Sequence, residues 1–464
     1  MGGILLILAL SCIYTCRAQE IYENSSDICG RCKCLTGPQF VLDCRNQAFH
    51  HVPAEWPQHN TTLTATFTLN NITTLEVLPD SDLVKNLMFD HCSIQNLDNG
   101  AFKAVKNVVF IDLSHNLLTT EQISAEKFKG PYNDSVYEPL KIKYLNLAYN
   151  KIHSLPHNVF EHLSDLEELN LEGNHFKFLD QPTQMALSGL PHLETLNLAR
   201  NDLTELVEEA IHNLDNLVEL NLAYNKIDFV PDTLSLLEKL ETVYLDYTMI
   251  FELTDESFLG VKSLREISLT NLPRLSYVKA NTFAGLSNLK ILKLSDNRNL
   301  ATIDREAFAP NQILQELYLH NNSLRDLDFN LTHWTSLRLF TLDNNPLICD
   351  CDLFAIGQQL SWEITREKDG PLCLDPVTGQ SKEVYHLKDD VCLIRKTSIG
   401  VHLIESHFFT IRIVLISASL VLCLTAAVAI FIAFLRYRRY KMNLNYPFAT
   451  QVIYNPLKNP GPAI

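Results

Sequence analysis

Between residues 62 and 346 the apolar positions repeat one phrase, L-x-x-L-x-L-x-x-N-x-L. Leu166, Leu169, Leu171, Asn174 and Phe176 make one copy; Leu193, Leu196, Leu198, Asn201 and Leu203 the next; Leu217, Leu220, Leu222, Asn225 and Ile227 a third. Twelve copies align, with the asparagine position at Asn70, Cys92, Asn116, Asn150, Asn174, Asn201, Asn225, Thr248, Leu272, Asn297, Asn322 and Asn345, mostly 22 to 27 residues apart. A unit this short cannot bury its own apolar side, so neighbours must stack and share one core. The alternating leucines predict a short strand facing inward, with successive strands pairing into a parallel sheet whose outward positions line a concave face.

The asparagine column follows from backbone accounting. A tight turn after the strand leaves main-chain groups unpaired, and an amide can both donate and accept toward them. Cys92 replaces it once, as a small buried thiol with a structural rather than reactive role. A second column, Phe102, Phe128, Phe160, Phe258, Phe283 and Phe308, keeps a fixed register with the leucines and is expected in the core of the convex side; an aromatic ligand cage is the alternative. From Asn116 to Asn150 the spacing is 34 residues, and the surplus at Lys129 to Ser135 predicts an inserted loop.

Both ends differ from this pattern. The apolar run Ile4 to Leu10 predicts a signal peptide over 1–18, cleaved after Cys16-Arg17-Ala18. Ile413 to Leu435 is 23 residues without a charge, the length of a membrane-crossing helix, with a buried soluble helix as the alternative. The basic cluster from Arg436 to Lys441 then places the N-terminus outside, as a single-pass type I protein of the plasma membrane. The divisions expected are a signal peptide (1–18), a cysteine-rich cap (19–61), the repeats (62–346), a second cap (347–393), a stalk (394–412), the span (413–435) and a 29-residue tail (436–464) too short for a catalytic domain. Tyr454-Asn455-Pro456-Leu457 in that tail fits a tyrosine-based sorting motif.

The terminal repeats of a solenoid need caps, and the cysteines cluster there: Cys29, Cys32, Cys34 and Cys44 before the repeats, Cys349, Cys351, Cys373 and Cys392 after them. On the oxidising side of the membrane they predict disulfides, with thiolate-bound zinc as the rival. Together with Asn345-Pro346-Leu347-Ile348-Cys349-Asp350-Cys351-Asp352-Leu353, the repeats and flanks resemble extracellular leucine-rich-repeat proteins with cysteine-rich flanks, such as Slit and Toll ectodomains, over roughly Cys29 to Cys392. The resemblance implies an α/β leucine-rich-repeat solenoid with a parallel β concave face and an irregular or short-helical convex face. It also implies pairing of first with third and second with fourth cysteine: Cys29 with Cys34, Cys32 with Cys44, Cys349 with Cys373 and Cys351 with Cys392.

Charge and chemistry then narrow the function. All 54 acids lie between the signal peptide and the span; excluding Arg17, Arg436, Arg438, Arg439, Lys441 and Lys458 leaves 32 of 38 bases there, a net charge of −22. Such an exterior disfavours nucleic acid as a partner. Sequons at Asn24, Asn60, Asn71, Asn133, Asn321 and Asn330 predict a glycoprotein. No P-loop, nucleophile elbow, zinc-protease helix or kinase set is present, so no enzyme activity and no cofactor are expected.

The outward strand positions are acidic and rich in tyrosine. Tyr149, Glu172, Tyr224, Tyr244, Asp246 and Tyr247 are the candidate contacts for a basic extracellular protein ligand or co-receptor, against the alternative of an ordinary solvated face. Asn146, Asn170, Asn197 and Asn221 share that face as scaffold. Two functions compete: a receptor or adhesion molecule, with homophilic or lateral association among its possible contacts, and an accessory subunit of a larger membrane receptor or channel complex.

Overall fold

The computed structural model describes residues 28–308, 314–365, 370–392 and 424–439. The signal peptide, Asn24, the stalk, residues 413–423 of the expected span and the tail from 440 lie outside them. Within the described residues, every repeat contributes one short strand to a single sheet of 14 strands. Thirteen run parallel, from Phe40–Asp43 in the N-terminal cap through the twelve repeats to Leu339–Thr341. Lys33–Leu35 pairs antiparallel with Phe40–Asp43 and closes the N-terminal edge.

The register explains why the leucine phrase specifies this fold. Leu145, Leu169, Leu196, Leu220, Val243, Ile267, Leu292, Leu317 and Phe340 stand opposite one another in consecutive strands. All are buried, forming one apolar row through the solenoid. Their strand neighbours on either side point the other way, as a pleat with a period of two requires. The six phenylalanines of the second column are buried as well. Phe258, Phe283 and Phe308 stack at centroid distances of 5.7 and 5.2 Å, so this column is packing.

Each ladder asparagine closes three backbone positions at once. Asn225 donates to Leu198 and Leu222 carbonyls, both at 2.9 Å, and accepts from the Leu203 amide at 3.0 Å. Asn174, Asn201, Asn322 and Asn345 repeat this geometry. Cys92 is buried and donates its thiol to the Phe67 carbonyl at 3.0 Å. Burial pushes that thiol up to about 11, which keeps it protonated and unreactive. Thr248 supplies one hydrogen bond, to the Leu245 carbonyl at 2.7 Å, and Leu272 has no polar side chain to offer.

The return segments carry short helices such as Gln181–Ser188, whose start is capped by Asp180 accepting from the Thr183 amide. The insertion at residues 129–137 folds into a hairpin, Tyr132–Asn133 against Val136–Tyr137, turning through Asp134 and Ser135 at φ 48° and 74°. Tyr137 packs on His162 and under Lys129, so the hairpin sits by the return segment and away from the strands.

In the N-terminal cap Cys29 is bonded to Cys34 and Cys32 to Cys44. In the C-terminal cap Cys349 is bonded to Cys373, and Cys351 and Cys392 are each disulfide-bonded. A separate helix spans 424–439. It includes the last part of the expected span; among the described residues no helix is long and apolar enough to cross a membrane.

Candidate functional site

Strand register turns sequence columns into rows of neighbours on the outer sheet face. The position before the inward residue reads Glu168, Thr195, Glu219, Thr242, Glu266, Ile291 and Glu316 in successive strands. A carboxylate therefore stands on every second strand, about 10 Å from the next at ordinary strand spacing. Two of the four are satisfied within the chain. Lys293 meets Glu266 at 2.6 Å, and the Tyr318 hydroxyl donates to Glu316 at 2.8 Å.

Glu219 has no such cation among the described residues. Burial pushes its carboxyl above the usual carboxylate range, and the charges of Glu168 and Glu266 push it further. One strand on, Tyr244 is half-buried; burial first, then Glu219, Glu266 and Asp246, push its hydroxyl up to about 12. Glu219 and Tyr244 thus form a partly desolvated pair of acceptor and donor, with Glu168 two strands away.

The row beside it is scaffold. The side-chain oxygens of Asn146, Asn170, Asn197 and Asn221 each accept from the backbone amide two residues on, all at 3.0 Å. These are Asx turns that lead the chain out of each strand. Asp246 is similarly engaged, accepting from the Ser268 hydroxyl at 2.6 Å and the Thr270 amide at 2.7 Å.

The rim of the sheet carries a third row, made by the residue just before each ladder asparagine. The turn forces that residue into the left-handed region: His91, His115, Tyr149, Arg200, Tyr224 and Tyr247 have φ of 53° to 58°. For residues without Asn, Asp or Gly character this costs about 1–2 kcal/mol each. The side chains stack along the solenoid. His91 lies 4.1 Å from His115, His115 4.3 Å from Tyr149, and Tyr224 4.1 Å from Tyr247, all nearly parallel.

Gly173 joins the two parts of this row. A Cβ there would lie 2.5 Å from the Tyr149 ring, so only glycine lets the ring cross that turn. The Tyr149 hydroxyl then donates to Glu172 at 2.6 Å. The same Glu172 oxygen meets Arg200 Nε at 3.1 Å, and the Arg200 guanidinium lies 3.6 Å over the Tyr224 ring. Ring faces are taken up by one another, and a partner approaching the rim meets ring edges and hydroxyls. Beyond Tyr247 the rim changes chemistry: Asn321 donates to Asp296 and accepts from Asn344, both at 2.7 Å.

Of the six residues singled out from sequence, the structure brings Tyr149, Glu172, Tyr224 and Tyr247 into this one stacked row. It leaves Tyr244 and Asp246 on the adjacent sheet face. His91, His115 and Gly173 belong to the row and were not singled out; aligning the column just before the ladder position exposes all three. Among the sequons, Asn60, Asn71, Asn133 and Asn330 are exposed, and Asn321 is half-buried in the amide ladder.

The leucine rich repeat family profile matches residues 135–176, 191–250, 238–298 and 287–347. Toll-like receptor 3 of Boselaphus tragocamelus is 29% identical over 226 residues, covering 47% of this chain and 25% of that receptor. Lumican of Coturnix japonica is 31% identical over 215 residues, covering 45% of this chain and 60% of lumican. The chain therefore spans about a quarter of the first relative's length and under two thirds of the second's. Among solved structures, a chain of the octameric complex of latrophilin 3, Unc5D and FLRT2 shares the fold, with a TM-score of 0.52 and 21% identity, over 78% of this chain and 98% of that one.

Proposed function

We propose that this leucine-rich-repeat chain is a cell-surface recognition protein, a receptor or adhesion molecule, which binds an extracellular protein partner of basic character through the outer face of its central strands. Recognition is by reversible contact, without catalysis or a cofactor. In this reading the uncharged stretch 413–435 tethers the chain to the membrane, with its repeats outside. The observation that carries the partner's character is Glu219. It is a partly buried carboxylate whose ionisation is opposed by burial and two like charges, while the equivalent Glu266 is neutralised by Lys293 from within the chain. A partner lysine or arginine placed over Thr195, between Glu168 and Glu219, supplies the missing charge and leaves the Tyr244 hydroxyl to donate alongside.

The test is proximity labelling on living cells that display the full chain, wild type against Glu168→Lys with Glu219→Lys. The expected result is a set of labelled extracellular proteins lost in the double variant at equal surface expression. An unchanged set rules out the sheet face as the binding site. A set that persists when the repeats are deleted supports lateral attachment through the helix, the role of an accessory subunit.

A further inference from the structure

A second feature, on the flank of the solenoid, goes beyond this reading. Where the chain leaves the rim after Asn201, Asn225 and Thr248, three successive turns, joined by Lys279 from the next, line a groove of about 730 Å³. One aromatic ring lines it. Phe229 is 51% exposed and is held edge-on against Phe251 at 4.7 Å, with Arg274 covering the other ring at 5.0 Å. Around it stand Glu205, Asp228, Asp232, Glu252, Asp255 and Glu256, and the groove's one cation among the described residues, Lys279, is paired with Glu252 at 2.8 Å. A half-exposed phenylalanine costs free energy in water, and six carboxylates against one lysine leave the lining net negative around a space wide enough for a chain segment.

Glycan placement gives an independent argument. No sequon falls anywhere between Asn133 and Asn321, although six occur in the chain. The stretch 134–320 thus lacks N-glycan acceptors on every side, flank included, and the groove lies in its middle. A bare sheet face alone does not require a bare flank.

We propose that this groove docks a short cationic and apolar segment of a protein partner, in which one large apolar side chain covers Phe229 and flanking lysines or arginines meet Asp228, Asp255 and their neighbours. The surface is separate from the Glu168–Glu219 face, lying beyond the rim. The exposed phenylalanine in its lining distinguishes it from a calcium site, which needs oxygen ligands alone.

The test uses the full chain in nanodiscs and a labelled synthetic probe, Lys-Leu-Lys-Phe-Lys-Leu-Lys, with a second probe in which serine replaces leucine and phenylalanine. Fluorescence anisotropy on wild type is expected to show at least tenfold tighter binding of the apolar probe than of the serine probe. Phe229→Ser, and separately Asp228→Asn with Asp255→Asn, are expected to weaken the apolar probe at least tenfold at unchanged melting temperature. Glu168→Gln with Glu219→Gln is expected to stay within twofold. Equal binding of both probes, indifference to Phe229→Ser, or an equal loss in the Glu168/Glu219 variant overturns the proposal. So does displacement of the probe by calcium alone at millimolar concentration, which identifies the groove as an ion site. Loss of partner labelling in the sheet-face variant with intact probe binding in the groove separates the two sites.

Discussion

The rim is built twice over, in two chemistries, on one backbone. From His91 to Tyr247 the left-handed residue is a ring or a guanidinium at every turn but Gly173, and the row is held by stacking and by Glu172 between Tyr149 and Arg200. From Asn271 to Asn344 the same position carries Asn or Asp, which tolerate that conformation, and in its last turns the row is held by amide hydrogen bonds. The second half uses what the turn prefers. The first half keeps bulky residues against that preference, so its side chains are there for contact and rigidity and not for backbone fit. It also borders Glu168, Glu219 and Tyr244, whereas the amide half borders strands whose acids are already paired.

The largest effect should be the one blind to this difference. Asn225→Ala and Asn322→Ala, beneath the stacked and amide halves, each orphan three buried backbone groups and should cost about 3 kcal/mol or more. Urea denaturation giving clearly unequal losses breaks the view of a common scaffold. Next, Gly173→Val adds left-handed strain and a collision with the Tyr149 ring; about 2–3 kcal/mol is expected from strain and overpacking combined. Arg200→Ala removes the plate over Tyr224 and the Glu172 pair, and should cost about 1 kcal/mol, with Arg200→Lys recovering only part of it.

Converting the first chemistry into the second sharpens the contrast. Tyr224→Asn with Tyr247→Asn relieves left-handed strain at two positions while losing their stack and the Arg200 contact over Tyr224, so stability should move by under about 1 kcal/mol. Partner labelling on cells should nevertheless fall; labelling at the wild-type level would return the tyrosines to a purely structural role. The smallest effect is at Glu219. Its folded carboxyl is raised, so the native state holds its proton to higher pH than the unfolded chain does. That contribution is present at low pH and is lost as pH rises through the folded value. Glu219→Gln should therefore slightly raise the melting temperature at neutral pH and leave it unchanged in acid, and a partner cation should bind wild type more weakly as pH falls.

The scaffold was legible in sequence because its logic is local and repeated. An apolar residue at each inward position and an amide at most turns can be read one repeat at a time, and Leu220 and Asn225 stand where that reading placed them. The rim was legible only in part. Tyr149 and Tyr224 attract notice as tyrosines, but their joining depends on Gly173, a residue that matters for the side chain it lacks. His91 and His115 differ in residue type from the tyrosines and Arg200 of the row, and in the sequence nothing but their place in the column links them to it. The flank groove arises where residues 204–206, 227–232 and 252–257 from three turns meet, which no single repeat displays. The insertion was placed correctly along the chain, yet its hairpin folds beside His162, because Tyr137 finds a packing partner there.

The break in the asparagine ladder carries a mechanical consequence. At Thr248 and Leu272, two turns in succession, the amide that staples one coil to the next is missing. A stack in which every layer touches only its neighbours is no tougher than its poorest joint. Pulled from its two ends, such an array should yield first near that seam, at the eighth and ninth of its twelve turns, parting into two blocks that each keep a disulfide-sealed end.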